Sequence, residues 1–333
     1  MMQTFDFQRP TDVSAAVGAA SRSPTAQQGA TVRFLAGGTT LLDLMKLGVE
    51  TPDHIVDINR LGLDAIERHT DGGLRIGATA RNSVVAHHPV VRAGYAALSE
   101  AILSGASTQL RNAASTAGNL LQRTRCVYFR DTATPCNKRE PDSGCSAIGG
   151  ANRMLAILGA SDHCIASNTS DMAVAMLAYD ALIHIKSPAG DRQVPVSEFY
   201  LLPGDRPDRE NVLGPGDLIT YVTLPPAEVG ARATYLKLRD RASYEFALVS
   251  AAVSVVIANG TMSAVRFALG GVGTKPWRVP EAEAALLGQP PGKPLFEQAA
   301  DIALAGARPQ SQNGFKVELA RRCLVHALLQ VTA

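Results

Sequence analysis

The sequence predicts an α+β protein built from a two-lobed amino-terminal domain to about residue 226 and a smaller α+β domain over 230–333. Three observations carry this. Short apolar runs of strand type alternate with helix-type periodicity as far as Leu224. The double proline Pro225-Pro226 then breaks the pattern, as a domain boundary does. Beyond it, strands joined by an Asn259-Gly260 hairpin turn give way to helices.

The first lobe, about residues 1–60, opens on Phe5 and Phe7 alternating with polar residues, which predicts a short strand. Thr11 or Asp12 caps a helix through Val13, Ala16, Val17 and Ala20. Val32-Arg33-Phe34-Leu35-Ala36 is an apolar strand ending in Gly37-Gly38. Leu41, Leu42, Leu44, Met45 and Leu47 then recur at helical spacing up to Gly48, a plausible C-cap. His54 to Ile58 is a further strand.

In the second lobe, about 61–226, Leu74-Arg75-Ile76-Gly77 is a strand and Tyr95 to Leu103 a helix. Met172 to Ala181 is a small-residue helix with Asp171 near its start, followed by a strand to Ile185. Pro188 to Asp191 makes a turn. Residues 203–217, rich in Pro, Gly, Asp and Arg, predict an exposed loop, and Leu218 to Leu224 a strand. The last domain has strands at Thr234–Leu238, Ala247–Ala258 and Val265–Leu269, then helical patterns at Pro280–Leu287 and from Phe315 onward. No repeat or low-complexity tract interrupts the order.

Composition is that of a globular chain: 333 residues, 46% hydrophobic and 19% charged. A net charge of +2 favours neither nucleic acid nor a membrane surface. A single Trp argues against a stacking platform for single strands. No apolar stretch approaches the 18 or so residues of a membrane span. The opening residues lack the basic region and apolar run of a secretory signal.

Two loops have the chemistry of an anion site. Strand, then Ala36-Gly37-Gly38-Thr39-Thr40, then helix leaves backbone N–H groups and two hydroxyls pointing at one place. The pattern is neither a Walker loop nor G-x-G-x-x-G, and a purely structural turn is a competing reading. Ser115-Thr116-Ala117-Gly118-Asn119 offers further donors, with an ordinary polar turn as its alternative.

Four of the five cysteines fall within 39 residues with the spacing Cys126-x9-Cys136-x8-Cys145-x18-Cys164. The absence of a C-x-x-C pair is unlike most zinc modules. Four thiolates on winding loops suit a [4Fe-4S] cube. Arg123, Arg125, Arg130, Lys138, Arg139 and Arg153 nearby would stabilise its reduced, more anionic form. Unrelated buried thiols, zinc with His163 as a substitute ligand, and a lone cysteine nucleophile remain as other readings. Cys323, in an apolar carboxy-terminal helix, reads as core.

At this point the residues match a family. Phe-x-Phe-x-Arg-Pro at the start, Ala36-Gly37-Gly38-Thr39-Thr40-Leu41, Ser115-x-x-Gly118-Asn119 and Leu269-Gly270-Gly271-Val272-Gly273 with Lys275-Pro276-Trp277-Arg278 span nearly the whole chain. Together they resemble the FAD-binding medium subunits of the xanthine dehydrogenase and carbon monoxide dehydrogenase family. Most members run almost directly from the Gly-Asn loop to the segment around Asp171. Here about 40 residues are inserted, near 122–165, and they hold all four clustered cysteines. Arg125 to Asp131, Cys136 to Arg139 and Gly144 to Ala147 are similar to the bacterial aldehyde oxidoreductase subgroup, whose medium subunit carries a [4Fe-4S] cluster beside FAD. Two stretches depart from the family pattern: Ser115 and Ala117 stand where many members have Thr and Gly, and Ala166 to Asp171 replaces a His-Pro-Ser-Asp ending.

The resemblance implies FAD lying between the two lobes, in contact with Arg33, Phe34, Leu35, Ala36, Gly37, Gly38, Thr39, Thr40 and Leu41. Ser115, Gly118 and Asn119 would support the diphosphate. Asp171, Ile219 and Lys237 would meet the flavin or its linker, and Cys126, Cys136, Cys145 and Cys164 would hold the cluster. It implies an oxidoreductase subunit with no catalytic residue of its own, in complex with a [2Fe-2S] small subunit and a molybdenum-cofactor large subunit that oxidises the aldehyde. Electrons would leave to an external acceptor. The chain has no export signal of its own, so a cytoplasmic site or co-export to the periplasm on a partner's signal both fit. Two other functions stand beside this one: a free-standing FAD oxidase or dehydrogenase using His163 or Tyr128 as its acid–base group, and a zinc-bearing scaffold.

Overall fold

The computed structural model describes residues 2–333. Its first sheet is parallel, with β1 (Asp6–Gln8), β2 (Val32–Leu35) and β3 (His54–Asp57) in the order β1-β3-β2. The helix Val13–Ala20 packs on it, its Ala15 N–H capped by the Asp12 carboxylate at 2.8 Å. The second sheet is antiparallel: β4 (Ile66–Arg68), β5 (Leu74–Gly77), β6 (Leu182–Ser187), β7 (Gly190–Pro195) and β8 (Leu218–Leu224) run β4-β5-β8-β6-β7. The third sheet, also antiparallel, places β10 (Val249–Ala258) between β9 (Arg232–Leu238) and β11 (Thr261–Gly270). Asn259 and Gly260 both take positive φ, as their hairpin requires.

The helix Asp171–Ala178 stands between the second and third sheets and is buried from Met172 to Ala178. Its small residues let the sheets close on it. A Cβ at Gly270, on β11, would already come within 2.6 Å of Val174. The helices Lys293–Leu304 and Phe315–Thr332 pack against each other, the second lying on β10 and β9.

Several elements differ from the sequence expectation. β7 is an edge strand with mostly polar, outward residues, so it carries no alternating signal. The helix Lys293–Leu304 buries Phe296, Ala299, Ala300 and Ala303 at regular helical spacing, an element beyond the helices expected at Pro280–Leu287 and from Phe315. Residues 203–217 are not simply an exposed loop: Pro203, Pro207, Asp208 and Asp217 are buried. No helix among the described residues is long and apolar enough to cross a membrane.

The cysteine-bearing insertion is nearly all turns, with one short helix at Val127–Arg130. It is fastened to the last domain from below. Lys316, fully buried, donates to the carbonyls of Met154 and Leu155 at 3.0 Å and of Gly271 at 2.8 Å. Asn313 adds bonds to the carbonyls of Asn152 and Leu155. Lys316→Met would leave the Gly271 carbonyl without a donor and take one donor each from Met154 O and Leu155 O, which keep Ser167 and Asn313. It is expected to cost about 3 kcal/mol in denaturant unfolding, more than a surface Lys→Met change such as Lys293→Met.

Candidate cofactor site

A cleft of about 1280 Å³, counting space open to solvent, runs between the first two lobes. That is ample for a large cofactor. Its floor is the loop Ala36–Thr40 between β2 and the helix Leu41–Lys46. The N–H groups of Gly37, Gly38, Thr39 and Thr40 and both Thr hydroxyls bond to no protein acceptor. Four consecutive free donors form a nest for an anion.

The two glycines serve different ends. Gly38 has φ +72, which a side chain rarely adopts. Gly37 is pressed against the second loop: a Cβ there would lie 2.0 Å from the Ala113 carbonyl oxygen. Arg81 braces the junction, bonding Ala113 O at 2.5 Å and Asn59 Oδ1 at 2.9 Å, while Asn59 donates to Ala36 O at 3.0 Å. Sequence reasoning assigned Gly37 to anion approach; in the structure it allows loop-on-loop contact.

The second loop is the start of a short helix, Thr116–Leu120, rather than a turn. Its Ser115 hydroxyl accepts from Gly118 N–H at 3.3 Å. Ser115 and Gly118 line the cleft, as do Arg33, Phe34, Ala36, Leu41 and Ile219 of the predicted set. Leu35 and Asn119 do not. Asn119 instead accepts from the Ser170 hydroxyl at 2.7 Å, tying this loop to the helix that begins at Asp171.

Asp171 and Lys237 also stand outside the cleft. They form an ion pair of 2.8 Å, with the Tyr235 hydroxyl donating to Asp171 at 2.6 Å. Burial beside the Asp171 carboxylate pushes the Tyr235 hydroxyl far above its ordinary range. Arg33 lines the cleft but is committed to structure, bonding Glu50 and the carbonyls of Ala26 and Gln27.

One wall was not foreseen. Glu210, Asn211 and Asp217 come from the 203–217 stretch, and Gln27, Glu50 and Arg123 join them. Arg123 bonds Glu210, Gln28 and Glu50, the last at 2.6 Å, while its buried Nη2 has no protein acceptor. Glu210 in turn pairs with Lys138 at 3.0 Å. No motif marks these residues; only the fold assembles them.

Burial would raise the Glu210 carboxyl, but the charges of Arg123 and Lys138 outweigh it and hold the group at about 2. A depressed carboxylate stabilises the fold above its ordinary value of 4.5 and loses that contribution as pH falls through the folded value. Glu210→Gln is therefore expected to cost a few kcal/mol at pH 7. Its deficit against the wild type should shrink between about pH 5 and pH 2 in chemical denaturation.

The four clustered cysteines come from three separate loops and line one small cavity of about 280 Å³, counting space open to solvent. Cys126, Cys136 and Cys164 are buried and Cys145 is half-buried. Cys136 and Cys145 pair across a β-bridge, framed by Asn137 N–H to Gly144 O at 2.7 Å. Burial pushes the Cys126 thiol up to about 11 and raises that of Cys164. Acting the other way, backbone N–H groups of Phe129 and Tyr128 face the Cys126 sulfur, and Lys138 and the Ala166 N–H favour an ionised Cys164. Among the described residues no three His, Cys, Asp or Glu side chains stand close enough to share one metal ion.

Most of the insertion's cations do not face that cavity. Arg125 and Arg130 pair with Asp43, Arg139 binds loop carbonyls, and Arg153 pairs with Asp240. Only Lys138 among them lines it. His163 and Tyr128 are remote from the cleft, so neither is placed as an acid–base group there. Cys323 is core, its thiol pushed up to about 12 by burial.

Two lobes closing on an anion nest define a protein that holds an extended, phosphate-bearing cofactor between them. Comparison with known proteins narrows the class. Residues 3–227 match the family model described as the FAD binding domain in molybdopterin dehydrogenase. Residues 233–331 match the CO dehydrogenase flavoprotein C-terminal domain. The chain is 49% identical over 333 residues to the aldehyde oxidoreductase FAD-binding subunit PaoB of Escherichia coli K12, covering 100% of this chain and 99% of that one. It is 26% identical over 305 residues to the carbon monoxide dehydrogenase medium chain of Hydrogenophaga pseudoflava, covering 92% and 88% of the two. A solved structure of carbon monoxide dehydrogenase from that organism superposes with a TM-score of 0.77 at 25% identity, covering 100% of this chain and 98% of its own.

The chain belongs to the FAD-binding medium subunits of the xanthine dehydrogenase and carbon monoxide dehydrogenase family. It is thus an oxidoreductase subunit of the molybdenum hydroxylase type that binds FAD, rather than a free-standing flavin oxidase. The residues present fit that cofactor: the nest has free donors for a diphosphate, and Arg123 offers a buried unpaired donor in the cleft wall.

Proposed function

We propose that this chain is the FAD- and [4Fe-4S]-carrying electron-transfer subunit of a molybdenum-dependent aldehyde oxidoreductase, standing between a partner's iron–sulfur centres and an external acceptor. The single observation that carries the proposal is the convergence of Cys126, Cys136, Cys145 and Cys164 on one cavity, whose Phe129 and Lys138 touch the cleft residues Arg123 and Glu210. The 49% identity with an aldehyde oxidoreductase FAD-binding subunit supports the aldehyde as substrate class. The partners in this reading are a [2Fe-2S] small subunit and a molybdenum-cofactor large subunit.

When bound, FAD supplies the exchange between one-electron and two-electron transfer. The residues of the chain bind and orient it. Gly37, Gly38, Thr39 and Thr40 donate to the diphosphate. Ser115 and Gly118, at the start of the second loop's helix, would support the diphosphate, and Ile219 would offer an apolar surface to the flavin ring. Asp171, fixed by Lys237 and Tyr235 beside the cleft, heads the helix that the Asn119–Ser170 bond ties to the second loop, and so positions that loop. The four cysteine thiolates would hold the cluster, with the N–H groups of Tyr128 and Phe129 facing the Cys126 sulfur and that of Ala166 facing the Cys164 sulfur.

The carboxylates of the cleft wall, Glu50, Glu210 and Asp217, are all held in ion pairs with Arg or Lys, so the isolated chain should not oxidise aldehydes. The test is turnover of an aromatic and an aliphatic aldehyde with an artificial acceptor. Turnover should require the co-purified complex, and turnover by the flavin-loaded chain alone would refute the reading.

A further inference from the structure

The cleft and the cysteine cavity are separated by two layers of side chains. Arg123 and Glu210 line the cleft; Phe129 and Lys138 line the cavity. The two pairs touch directly. The Arg123 guanidinium lies over the Phe129 ring, 4.5 Å from its centroid, and Glu210 meets Lys138 at 3.0 Å. Lys138 is pinned from behind by the Pro207 carbonyl at 2.9 Å. On the cleft side Arg123 continues to Glu50, and Glu50 to Arg33 at 2.8 Å. Signs alternate along the chain Arg33, Glu50, Arg123, Glu210 and Lys138; Glu50, Arg123 and Lys138 are nine-tenths or more buried, while the side chains of Arg33 and Glu210 are 19% and 23% exposed. Away from water such charges act at far greater strength than on a surface.

Resting on the reading of the cysteine cavity as a [4Fe-4S] site, we propose that this buried chain couples the two cofactor sites electrostatically, with Lys138 and Glu210 as the positioning residues that set the cluster's reduction potential. Lys138 is the one cation of the insertion that faces the cavity, so it stabilises the more anionic reduced cluster. Glu210 holds Lys138 in place and offsets its charge. Because Glu210 and Arg123 also face the cleft, a change at Glu210 reaches the flavin too, whereas the other arginines, spent on Asp43, Asp240 and loop carbonyls, contribute little.

The test is a redox-poised titration of the purified complex, following the cluster by electron paramagnetic resonance and the flavin by absorption. Lys138→Met should lower the cluster's midpoint potential, and Glu210→Gln should raise it and move the flavin's as well. Lys138→Arg, which keeps the charge, should restore the wild-type value. Opposite signs from two neighbouring substitutions are not what loosened packing produces. If Lys138→Met loses its iron, the Glu210→Gln shift decides alone. Unmoved potentials, or shifts of the same sign, with the cluster signal present overturn the coupling only. Absence of an iron–sulfur signal from the wild-type complex overturns the cluster reading and the coupling with it.

Discussion

Cys136→Ser is expected to strip the chain of its iron while leaving its flavin bound. The four sulfurs line one cavity, and the other metal-ligating side chain along it, His163, is solvent-exposed, with its carbonyl accepting from Asn137. A serine hydroxyl ionises too reluctantly to ligate in its place. Iron should fall from about four atoms per chain to near zero, with acid-labile sulfide falling alongside. The FAD cleft is built from other segments, so flavin content should hold. The turns of the insertion should loosen, since a bound metal centre contributes its binding free energy to folding. Thermal unfolding followed by fluorescence should therefore begin several degrees earlier than in the wild type. Equal iron in the variant and the wild type would remove Cys136 from the ligand set.

Gly37→Ala is expected to do the reverse, depleting flavin and sparing iron. Its Cβ would meet the Ala113 carbonyl oxygen at 2.0 Å and the Ala113 carbonyl carbon at 2.7 Å. Both are backbone atoms, and Arg81 holds that carbonyl in place, so the two loops must part. Overpacking of this kind costs about 1–3 kcal/mol, and here the strain falls on the pair of loops that grip the diphosphate. FAD affinity should drop about 10- to 100-fold, read by equilibrium dialysis or by flavin retained after gel filtration. Gly48→Ala is the control. Its neighbourhood is open, so it should cost some stability at the end of the helix Leu41–Lys46 without loss of flavin.

Both predictions rest on features the sequence displays, yet for partly different reasons than the sequence offers. The Gly37-Gly38 turn is visible as strand, glycines and helix. That Gly37 exists to admit another loop depends on a contact across 76 residues, which no local pattern encodes. The cysteines are legible because four thiols in a short, turn-rich insertion have few other uses. The expectation that the surrounding arginines serve a cluster does not hold for most of them. Asp43 and Asp240, remote in sequence, take three of those cations, and only the fold shows which charge is left facing the cavity. Residues 203–217 read as exposed from their Pro, Gly and Asp content. They form a cleft wall because Gln27 donates to Asn211 and Leu213 and draws the segment inward. Asp171 and Lys237 do meet each other, but beside the cleft rather than in it.

The most direct test of the account is the cofactor content of the chain purified from its complex under anaerobic conditions. It should carry one FAD with about four iron atoms and about four acid-labile sulfides, a flavin spectrum overlying broad iron–sulfur absorption, and no zinc. Flavin without iron, or zinc on the four cysteines, would contradict it.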